Sequence, residues 1–437
     1  MGKGDSAPTS PTKPAQAVQT AANEAKNKVQ AQVKKAVQDT TENTKVCTIP
    51  GFGACGLVNL GNTCYINSAL QCISYFPLLR SYLLSGEYKT TGDLNKDNPL
   101  GTEGWLLEEF VELLRFMWSS KAGEKSPTRL RQVIAKLKPD VFAGADQQDA
   151  QELLSYVLDA LMEDSNRVRK KPYVEGLEDD WVKNNGLYRV GEEAWRRERR
   201  RSRSIVTDVI TGQTLSTTTC PVCNYSSQKF DPFNLLSVPL PTKTQSASGS
   251  AGMPLGKCLT EFCKIQKLEN DEGDTHWRCP RCKDFRPGAK QNLVLWRLPD
   301  ILTIHMKRFR SSQKWREKIT TKVNFPLTGL DMKEWCHKES PVVHQTESGE
   351  SYVYDLIGVL NHYGGMTGGH YVATCKATPS AMAKAQRESA EPLWLQFDDE
   401  VVEPIAPKSV ISESAYVLFY RRRRLTPANV ARYSSLE

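Results

Sequence analysis

Three residue types that together can perform thiol catalysis lie far apart in the sequence, and the first of them is Cys64. The apolar residues that follow it recur every three or four positions, which predicts a helix that begins near Cys64. A thiol in the first turn of a helix faces unpaired N–H groups and the positive end of the helix dipole, and both favour the thiolate. Asn62 or Thr63 is expected to cap this helix, and Gly61 permits a tight turn before it. The sequence therefore nominates Cys64 as a nucleophile, against the simpler interpretation of a small buried residue at a helix start.

A thiolate nucleophile needs a general base, and the downstream sequence offers two candidates. His370 follows a glycine-rich turn, Gly364–Gly369, and opens a predicted strand, whereas His362 lies ahead of that turn. A short predicted strand that ends in Asp398 and Asp399 offers a carboxylate to orient the imidazole, and the residues alone do not choose between the two. The order Cys, His, Asp is that of papain-like thiol proteases.

Two Cys-x-x-Cys pairs form a second candidate site, made of Cys220, Cys223, Cys279 and Cys282. Four thiolates can close a tetrahedral Zn²⁺ site with no open position, and such a site is structural. The alternative is a pair of free or redox-active dithiols, and His276 is a further potential ligand. Cys258 and Cys263 are predicted to be helix residues that take no part in the site.

Composition limits the class of protein. The chain has 437 residues, of which 39% are apolar and 25% charged, and these fractions exclude a wholly disordered or collagen-like chain. No run of 18 apolar residues occurs and no segment near the start resembles a secretory signal, so we expect a cytoplasmic or nuclear protein, or both. The net charge of +8 is only weak evidence for nucleic-acid binding.

The sequence divides into a folded region between two tails. Residues 1–46 contain no Leu, Ile, Phe, Tyr or Trp, so we expect a disordered tail that cannot bury a core. Its first residues match the N-myristoylation pattern through Gly2 and Ser6, and membrane contact is expected only if Gly2 is acylated. The folded region is predicted to be helical at first and to consist of strands after Ile205. Residues 425–437 are expected to form a C-terminal tail.

Several segments resemble motifs of one known family. GLVNLGNTCYINSALQC, which contains Cys64, resembles the cysteine box of the ubiquitin-specific proteases. YDLIGVLNHYGGMTGGHYVATCK and WLQFDDEVV resemble their histidine box, and GADQQDAQELLSYVLDAL and LPDILTIHMKRF are similar to further signatures. These motifs keep the family's order over residues 52–423. RKKPYVE, EEAWRR and FDPF resemble the multidomain group of the family, which usually carries an additional N-terminal domain and a ubiquitin-like domain.

The resemblance implies an α+β, papain-like fold with a helical thumb, a β-rich palm and fingers that hold one structural zinc ion. The catalytic domain would span residues 47–424. Within it the thumb would occupy about 52–200, the fingers about 205–290, and the palm the rest up to about 423.

The resemblance also implies roles for individual residues. Cys64 would be the nucleophile, His370 the base, Asp398 the residue that orients the base, and Asn59 a part of the oxyanion hole. Asp399 stays an alternative to Asp398 because the two acids are adjacent.

The implied reaction is hydrolysis of the isopeptide or peptide bond after the C-terminal glycine of ubiquitin, through a thioester. Asp149 and Glu152 match family positions that bind the basic tail of ubiquitin, and acids spaced by one helical turn suit that use. The implied partners are ubiquitin and ubiquitinated proteins, and the enzyme is expected to be a monomer. The alternatives are a catalytically silent ubiquitin-binding scaffold and a protease for another ubiquitin-like modifier.

Two basic runs lie outside these motifs, at 196–203 (RRERRRSR) and at 421–424 (RRRR). Nuclear import, RNA contact and acidic membrane binding are the functional interpretations of such runs. The simpler interpretation of the first run is a solvated helix face on which Glu192 and Glu193 pair with arginines four positions later. No specific nucleic acid is expected, because aromatic residues do not alternate with the basic ones.

Overall fold

A computed structural model describes residues 53–119, 123–241, 252–268, 277–285, 287–311, 316–341, 352–365, 368–377 and 392–424. Several sequence predictions lie outside these ranges and stay untested. They are the disordered tail 1–46 with its acylation pattern at Gly2, the ligand candidate His276, and the tail 425–437.

Eleven helices are present in the described part of the chain: α1 Cys64–Ser74, α2 Pro77–Ser85, α3 Glu87–Thr90, α4 Trp105–Met117, α5 Thr128–Leu137, α6 Pro139–Phe142, α7 Ala150–Asp164, α8 Asp179–Asn184, α9 Leu187–Arg199, α10 Ile205–Ile210 and α11 Leu255–Phe262.

Twenty strands are present in the same ranges: β1 Gly56–Leu57, β2 Glu124–Lys125, β3 Gly212–Thr219, β4 Ser226–Phe233, β5 Leu236–Pro239, β6 Met253–Pro254, β7 Gln266–Lys267, β8 Arg278–Cys279, β9 Asp284–Phe285, β10 Lys290–Arg297, β11 Ile301–Lys307, β12 Phe309–Ser311, β13 Arg316–Lys318, β14 Val323–Asn324, β15 Leu330–Asp331, β16 Val353–Gly364, β17 Gly369–Lys376, β18 Trp394–Asp398, β19 Val401–Ile405 and β20 Ala415–Arg422.

The order of the elements follows the periodicity of the sequence, with one exception. Helices dominate up to residue 210, and long strands follow, as predicted. The prediction of strands directly after Ile205 is wrong, because Ile205–Ile210 is the helix α10. Ser204 caps this helix, since its hydroxyl accepts a hydrogen bond from the Thr207 N–H at 3.0 Å. A single capped turn is too short to be distinguished by periodicity from a buried apolar strand.

An eight-stranded sheet, which we call the palm sheet, organises the second half of the fold. Its strand order is β19-β18-β17-β16-β20-β11-β5, and β15 pairs with β16. All neighbours are antiparallel except β11 and β5. The hairpin of β16 and β17 pairs Tyr363 with His370 and Gly364 with Gly369, so it delivers His370 to one end of the sheet.

The glycines of that hairpin differ in importance. Gly364 has φ +99°, in the left-handed region, and a Cβ on it would lie 2.7 Å from the Gly369 Cα atom. A Cβ on Gly369 would lie 2.2 Å from the Tyr363 carbonyl oxygen. Gly365 and Gly368 have no atom within 4 Å of such a Cβ. The hairpin itself therefore requires glycine at its two ends, whereas Gly365 and Gly368 have room for a side chain.

Helix α1 lies between the other helices and the palm sheet, and all eleven of its residues are buried. The two faces of the sheet belong to two apolar clusters, because side chains alternate along each strand. On β20, Val417 and Phe419 pack with α1 and its neighbouring helices, whereas Leu418 and Tyr420 pack on the opposite face with α11.

A second, four-stranded sheet has the order β4-β3-β10-β7, and we call it the finger sheet. Cys220 directly follows β3, and Cys279 ends β8 in the short hairpin of β8 and β9. The cysteine pairs are therefore held at strand ends rather than inside a helix.

The first basic run ends helix α9. Glu193 accepts hydrogen bonds from both Arg196 and Arg197, and these contacts lower the pKa of Glu193 to about 2. Glu192 pairs with Arg297 instead of with an arginine four positions later, so that part of the prediction is wrong. Among the described residues, no helix combines the length and the apolar composition needed to cross a bilayer.

Candidate active site

Cys64 is the first residue of helix α1, as the sequence predicts. Gly61 and Asn62 have φ values of +94° and +54°, so two consecutive left-handed residues turn the chain into the helix. Thr63 occupies the N-cap position but makes no side-chain cap, because its hydroxyl accepts from the Leu60 N–H at 2.8 Å. The predicted capping hydrogen bond is therefore absent.

His370 connects Cys64 to the carboxylate of Asp398. Its Nε2 atom is hydrogen-bonded to Asp398 Oδ1, and its ring also interacts with the Cys64 side chain. Burial disfavours the imidazolium, but the contacts with Asp398 and Cys64 outweigh burial and raise the pKa of His370 to about 10. Because Nε2 faces Asp398, Nδ1 is the nitrogen left for the thiol. The three predicted residues are thus brought together from three separate elements, α1, β17 and β18.

His362, the alternative base, lies apart from this arrangement. Its ring is buried against Phe309, Tyr371 and Tyr416, with centroid distances of 5.3, 4.5 and 6.2 Å. Burial is the main cause that lowers the pKa of His362 to about 3, so this residue is neutral at physiological pH. The His362 ring packs against the hairpin of β16 and β17, since a Cβ atom on Gly369 would lie 2.4 Å from the His362 Nε2 atom.

Asp399 has a different neighbourhood from Asp398, although the two are adjacent in sequence. Its carboxylate accepts hydrogen bonds from Asn59 Nδ2 at 2.7 Å and from Asn67 Nδ2 at 2.8 Å. Its carbonyl oxygen accepts from the Leu57 N–H at 2.8 Å. Burial raises the pKa of Asp399, while the two asparagine side chains oppose that shift. Asp399 therefore joins the palm sheet to the start of α1 and does not contact the imidazole through a hydrogen bond.

Asn59 is oriented by its own loop. Its Oδ1 atom accepts from the N–H of Gly61 at 3.0 Å and from the N–H of Thr63 at 3.3 Å, which directs Nδ2 toward Asp399. One of the two N–H bonds of Nδ2 is used by Asp399.

Gln147 is a site residue that sequence reasoning missed. Its Nε2 atom donates to Cys64 Sγ at 3.1 Å and to the Gly369 carbonyl oxygen at 2.6 Å. Its Oε1 atom accepts from the Gly369 N–H at 2.7 Å. The available signal was its position in the GADQQDAQE motif, just ahead of the helix that carries the two predicted acids.

Asp149 and Glu152 lie in a groove of about 450 Å³ that Tyr156 and Asp159 also line. Asp149 is the N-cap of α7 rather than a residue within it, and its carboxylate accepts from the Gln151 N–H and from the Tyr416 hydroxyl, each at 2.7 Å. Glu152 pairs with Lys138 at 3.0 Å. Both acids are therefore in one groove, and each already has an intramolecular partner.

The four cysteines Cys220, Cys223, Cys279 and Cys282 form one cluster. The sulfurs of Cys220 and Cys282 are 3.9 Å apart, and those of Cys223 and Cys279 are 3.6 Å apart. Thiolates around a tetrahedral zinc ion lie about 3.8 Å from each other, because each Zn–S bond is about 2.3 Å long. The backbone N–H of Cys223 is the main cause that lowers the pKa of Cys220 to about 6, which favours the ligating form. The donor set and its spacing fit one structural zinc ion.

Cys258 and Cys263 stand apart from this cluster, as predicted. Cys258 lies inside α11, and Cys263 is the C-cap of the same helix. Burial raises the pKa of both thiols, to about 11 for Cys258 and about 12 for Cys263.

A thiol beside an imidazole that a carboxylate holds defines a cysteine hydrolase type of site, and comparisons with known proteins specify its family. Residues 55–420 match the family described as ubiquitin carboxyl-terminal hydrolase. The chain belongs to this family.

Two relatives illustrate the range of similarity. Ubiquitin carboxyl-terminal hydrolase 2 of Rattus norvegicus is 36% identical over 371 residues, which cover 84% of this chain and 54% of the relative. Ubiquitin carboxyl-terminal hydrolase 10 of Arabidopsis thaliana is 25% identical over 625 aligned positions, which cover 85% of this chain and 64% of the relative. The chain therefore spans between about half and two thirds of the length of these relatives.

A solved structure of similar fold is the SAGA Ubp8/Sgf11/Sus1/Sgf73 DUB module bound to ubiquitin aldehyde. A chain of that assembly superposes with a TM-score of 0.60 and 23% identity, covering 91% of this chain and 76% of the other. This similarity supports the predicted α+β arrangement of thumb, palm and fingers, with the cysteine cluster at the fingers.

Replacement of Asp398 by Asn should lower the pKa of His370. Burial lowers the pKa of His370, and without the Asp398 charge less remains to oppose this effect. We therefore expect an NMR titration of the ring protons to give a pKa near or below the ordinary 6.5. The raised folded-state pKa means that protonation of His370 stabilises the fold fully below pH 6.5, and this stabilisation disappears as the pH rises through about 10. The variant should therefore lose stability mainly at acidic and neutral pH.

The control for this titration is Asp231→Asn in the finger sheet, where Asp231 pairs with Lys229. This change should leave the His370 titration as it is in the wild type. A His370 pKa near 10 in Asp398→Asn would contradict the assigned partner.

Proposed function

We propose that the protein is a deubiquitinase that hydrolyses the bond after the C-terminal glycine of ubiquitin. The observation that supports the proposal most is the contact of His370 with both Cys64 and Asp398 in a chain of the ubiquitin carboxyl-terminal hydrolase family. The SAGA DUB module of similar fold was solved with ubiquitin aldehyde, in agreement with this substrate class.

In the proposed reaction, the Cys64 thiolate attacks the carbonyl carbon of the terminal glycine. The carbon–nitrogen bond breaks, and the imidazolium of His370 gives its proton to the leaving amine. A thioester remains on Cys64. His370 then takes a proton from water, and the resulting hydroxide releases the ubiquitin carboxylate and regenerates the thiolate. The raised pKa of His370 suits the first half of this sequence, because the proton is already present at neutral pH.

Asn59 and the N–H of Cys64 are the proposed oxyanion donors. The Cys64 N–H lies ahead of the first hydrogen bond of α1, which the Ile66 N–H donates to the Thr63 carbonyl oxygen, and the second Nδ2 hydrogen of Asn59 is not needed by Asp399. Asp399 acts on the reaction only through Asn59 and Asn67, so we assign it a positioning role.

The groove of Asp149 and Glu152 is the proposed site for a basic segment next to the ubiquitin glycines. An incoming arginine would take the place of Lys138 beside Glu152, and Asp159 in the same groove adds a third carboxylate. An exchange of one cation for another preserves the ion pair, so substrate binding leaves no carboxylate of the groove unpaired.

The zinc ion, the partners and the domain limits are also proposals. One zinc ion bound by the four cysteines would hold the tip of the finger sheet. Ubiquitinated proteins are the expected partners, and the domain limits 47–424 stay as predicted from the sequence. The motif resemblance to the multidomain group of the family also stays a proposal.

The central prediction concerns a ubiquitin probe with a thiol-reactive C-terminus. The wild-type chain should gain the mass of one ubiquitin, because Cys64 is the proposed nucleophile, and Cys64→Ala should gain none. Cys72→Ala is the matched control, since Cys72 lies on the same helix and is buried away from the site. Intact-mass spectrometry reads all three.

The outcomes separate the alternatives. No adduct from a folded wild-type sample, together with binding of unmodified ubiquitin, would identify a silent scaffold. An adduct only with a probe made from another ubiquitin-like modifier would identify a different protease. An adduct that persists in Cys64→Ala would refute the assigned nucleophile.

Asn59 and Glu152 should affect different kinetic constants. Asn59→Ala should lower kcat by about 10²–10³-fold with little change in KM, because an oxyanion donor acts in the transition state. Glu152→Gln should raise KM by about threefold to tenfold and leave kcat unchanged, because a bidentate arginine of the substrate pairs with Glu152 more strongly than the Lys138 that it replaces. Cleavage of a ubiquitin C-terminal fluorogenic amide measures both.

Two controls accompany this kinetic comparison. Glu112→Gln removes an exposed carboxylate of α4 that pairs with Arg115, and it should change neither constant. Asn67→Ala removes an Asp399 contact without removing an oxyanion donor. An equal loss of kcat in Asn67→Ala and Asn59→Ala would show that Asn59 only anchors Asp399.

The zinc proposal predicts one metal ion per chain. Elemental analysis of the wild type should give one zinc, and Cys223→Ser should lose it and lower the unfolding temperature by at least about 5 °C. Cys263→Ser, outside the cluster, should retain the metal. The zinc site would be refuted if the wild type contained no zinc and if treatment with a chelator left its unfolding temperature unchanged.

A further inference from the structure

The Gln147 carboxamide closes the space between the nucleophile and the palm sheet. It extends from the loop ahead of α7 and reaches Gly369 at the first position of β17, directly before the base His370. All the hydrogen-bonding groups of the amide are used: Oε1 by the Gly369 N–H, and Nε2 by the Gly369 carbonyl and Cys64 Sγ.

The two contacts with Gly369 have the pattern of one extended chain paired with another. The carboxamide accepts from the N–H and donates to the C=O of the same residue, as a neighbouring strand does at a hydrogen-bonded pair. Both contacts are exposed, so water or another peptide group can replace them at small net cost. The side chain therefore takes the place of the N–H and C=O groups of one residue in an added strand.

The third contact covers the reacting sulfur. Cys64 is only 3% exposed, and Gln147 Nε2 lies 3.1 Å from its Sγ atom. A carbonyl carbon has to come within about 3–3.5 Å of the nucleophile before it can react. A substrate chain that runs between Cys64 and Gly369 therefore meets the carboxamide on its way.

We propose that Gln147 is a displaceable latch over the nucleophile. In the empty site its carboxamide bridges Cys64 and Gly369, and the extended main chain of the substrate displaces it and takes over both hydrogen bonds to Gly369. The identity of the substrate in this inference rests on the proposed function, whereas the covering of Cys64 by Gln147 is independent of that function.

The latch has a measurable consequence for substrate binding. A site that is open only part of the time binds with an apparent affinity reduced by the open fraction. Removal of the latch therefore increases apparent affinity, provided that the substrate itself makes no essential contact with Gln147. This direction is opposite to that expected of a residue that simply binds substrate.

The first experiment needs no ubiquitin. The empty enzyme is treated with iodoacetamide over a series of pH values up to about 10, and alkylation of Cys64 is followed by peptide mass. The limiting rate reached at high pH reports access to the sulfur. We expect this rate to rise about threefold to tenfold in Gln147→Ala, the equivalent of about one net hydrogen bond.

The neighbouring residue is the matched control. Gln148 has the same side chain and lies in the same loop, and among the described residues the hydrogen bonds to Cys64 Sγ and to Gly369 come from Gln147 and not from Gln148. Gln148→Ala should leave the alkylation rate unchanged. Thermal unfolding of both variants checks that the loop change leaves the fold intact, as expected for two half-buried side chains.

The second experiment measures cleavage of a ubiquitin C-terminal fluorogenic amide. Gln147→Ala should lower KM by a similar factor, and kcat should change less than KM. A limiting alkylation rate that does not increase would overturn the proposal, because the carboxamide would then not cover the thiol. A raised KM would also overturn it, because Gln147 would then hold the substrate. If the proposed function fails and no ubiquitin substrate is cleaved, the alkylation result still decides whether the latch exists.

Discussion

The buried carboxylate of Asp399 is the interaction on which the geometry of the site depends. The carboxylate joins the end of β18 to Asn59 and to Asn67, and the backbone carbonyl oxygen of Asp399 accepts a hydrogen bond from the Leu57 N–H. The segment that leads into α1 thereby becomes attached to the palm sheet beside the strand that presents Asp398. Because α1 carries Cys64, the proposed nucleophile, and the sheet carries His370, the proposed base, a shift between them would separate the thiol from the imidazole. A site of this kind loses activity when its groups move by about an ångström.

This attachment has a conformational cost that its hydrogen bonds offset. Asp399 has φ +52°, and a residue with a Cβ pays about 1–2 kcal/mol for a left-handed backbone. Burial of the carboxylate adds a further cost, which is visible as its raised pKa. In return, the turn sends consecutive side chains to different partners: Asp398 to the imidazole, and Asp399 to the start of the nucleophile helix. The adjacent acids were an unresolved choice in the sequence because only the turn conformation distinguishes them.

What could be predicted from sequence was local in character. The start of α1 at Cys64 follows from apolar periodicity after a glycine turn, and the cysteine pairs follow from their spacing. The strand that begins at Gly369 follows from the glycine-rich turn before it.

What escaped prediction depends on tertiary contacts between distant residues. Gln147 meets a residue 222 positions later, and Asp149 meets Tyr416, which lies 267 positions later. No periodicity or spacing encodes such a meeting. The family motif contained Gln147, but a motif does not state which of its side chains reach the nucleophile. Helix α10 was missed for a related reason, since one capped turn depends on its Ser204 contact more than on its apolar pattern.

The empty site is internally satisfied, and this property limits how substrate can bind. Glu152 pairs with Lys138, Asp149 with the Tyr416 hydroxyl, and Gly369 with Gln147. Each of these groups would face a substrate chain, yet each already has a partner within the protein. In the function we propose, substrate binding is an exchange of partners, in which each new contact gains only the difference between two hydrogen bonds or two ion pairs. A ligand that matches one contact gains little, whereas an extended chain with basic and main-chain groups in register exchanges all of them at once. Discrimination then follows from the length and order of the substrate tail more than from any single side chain.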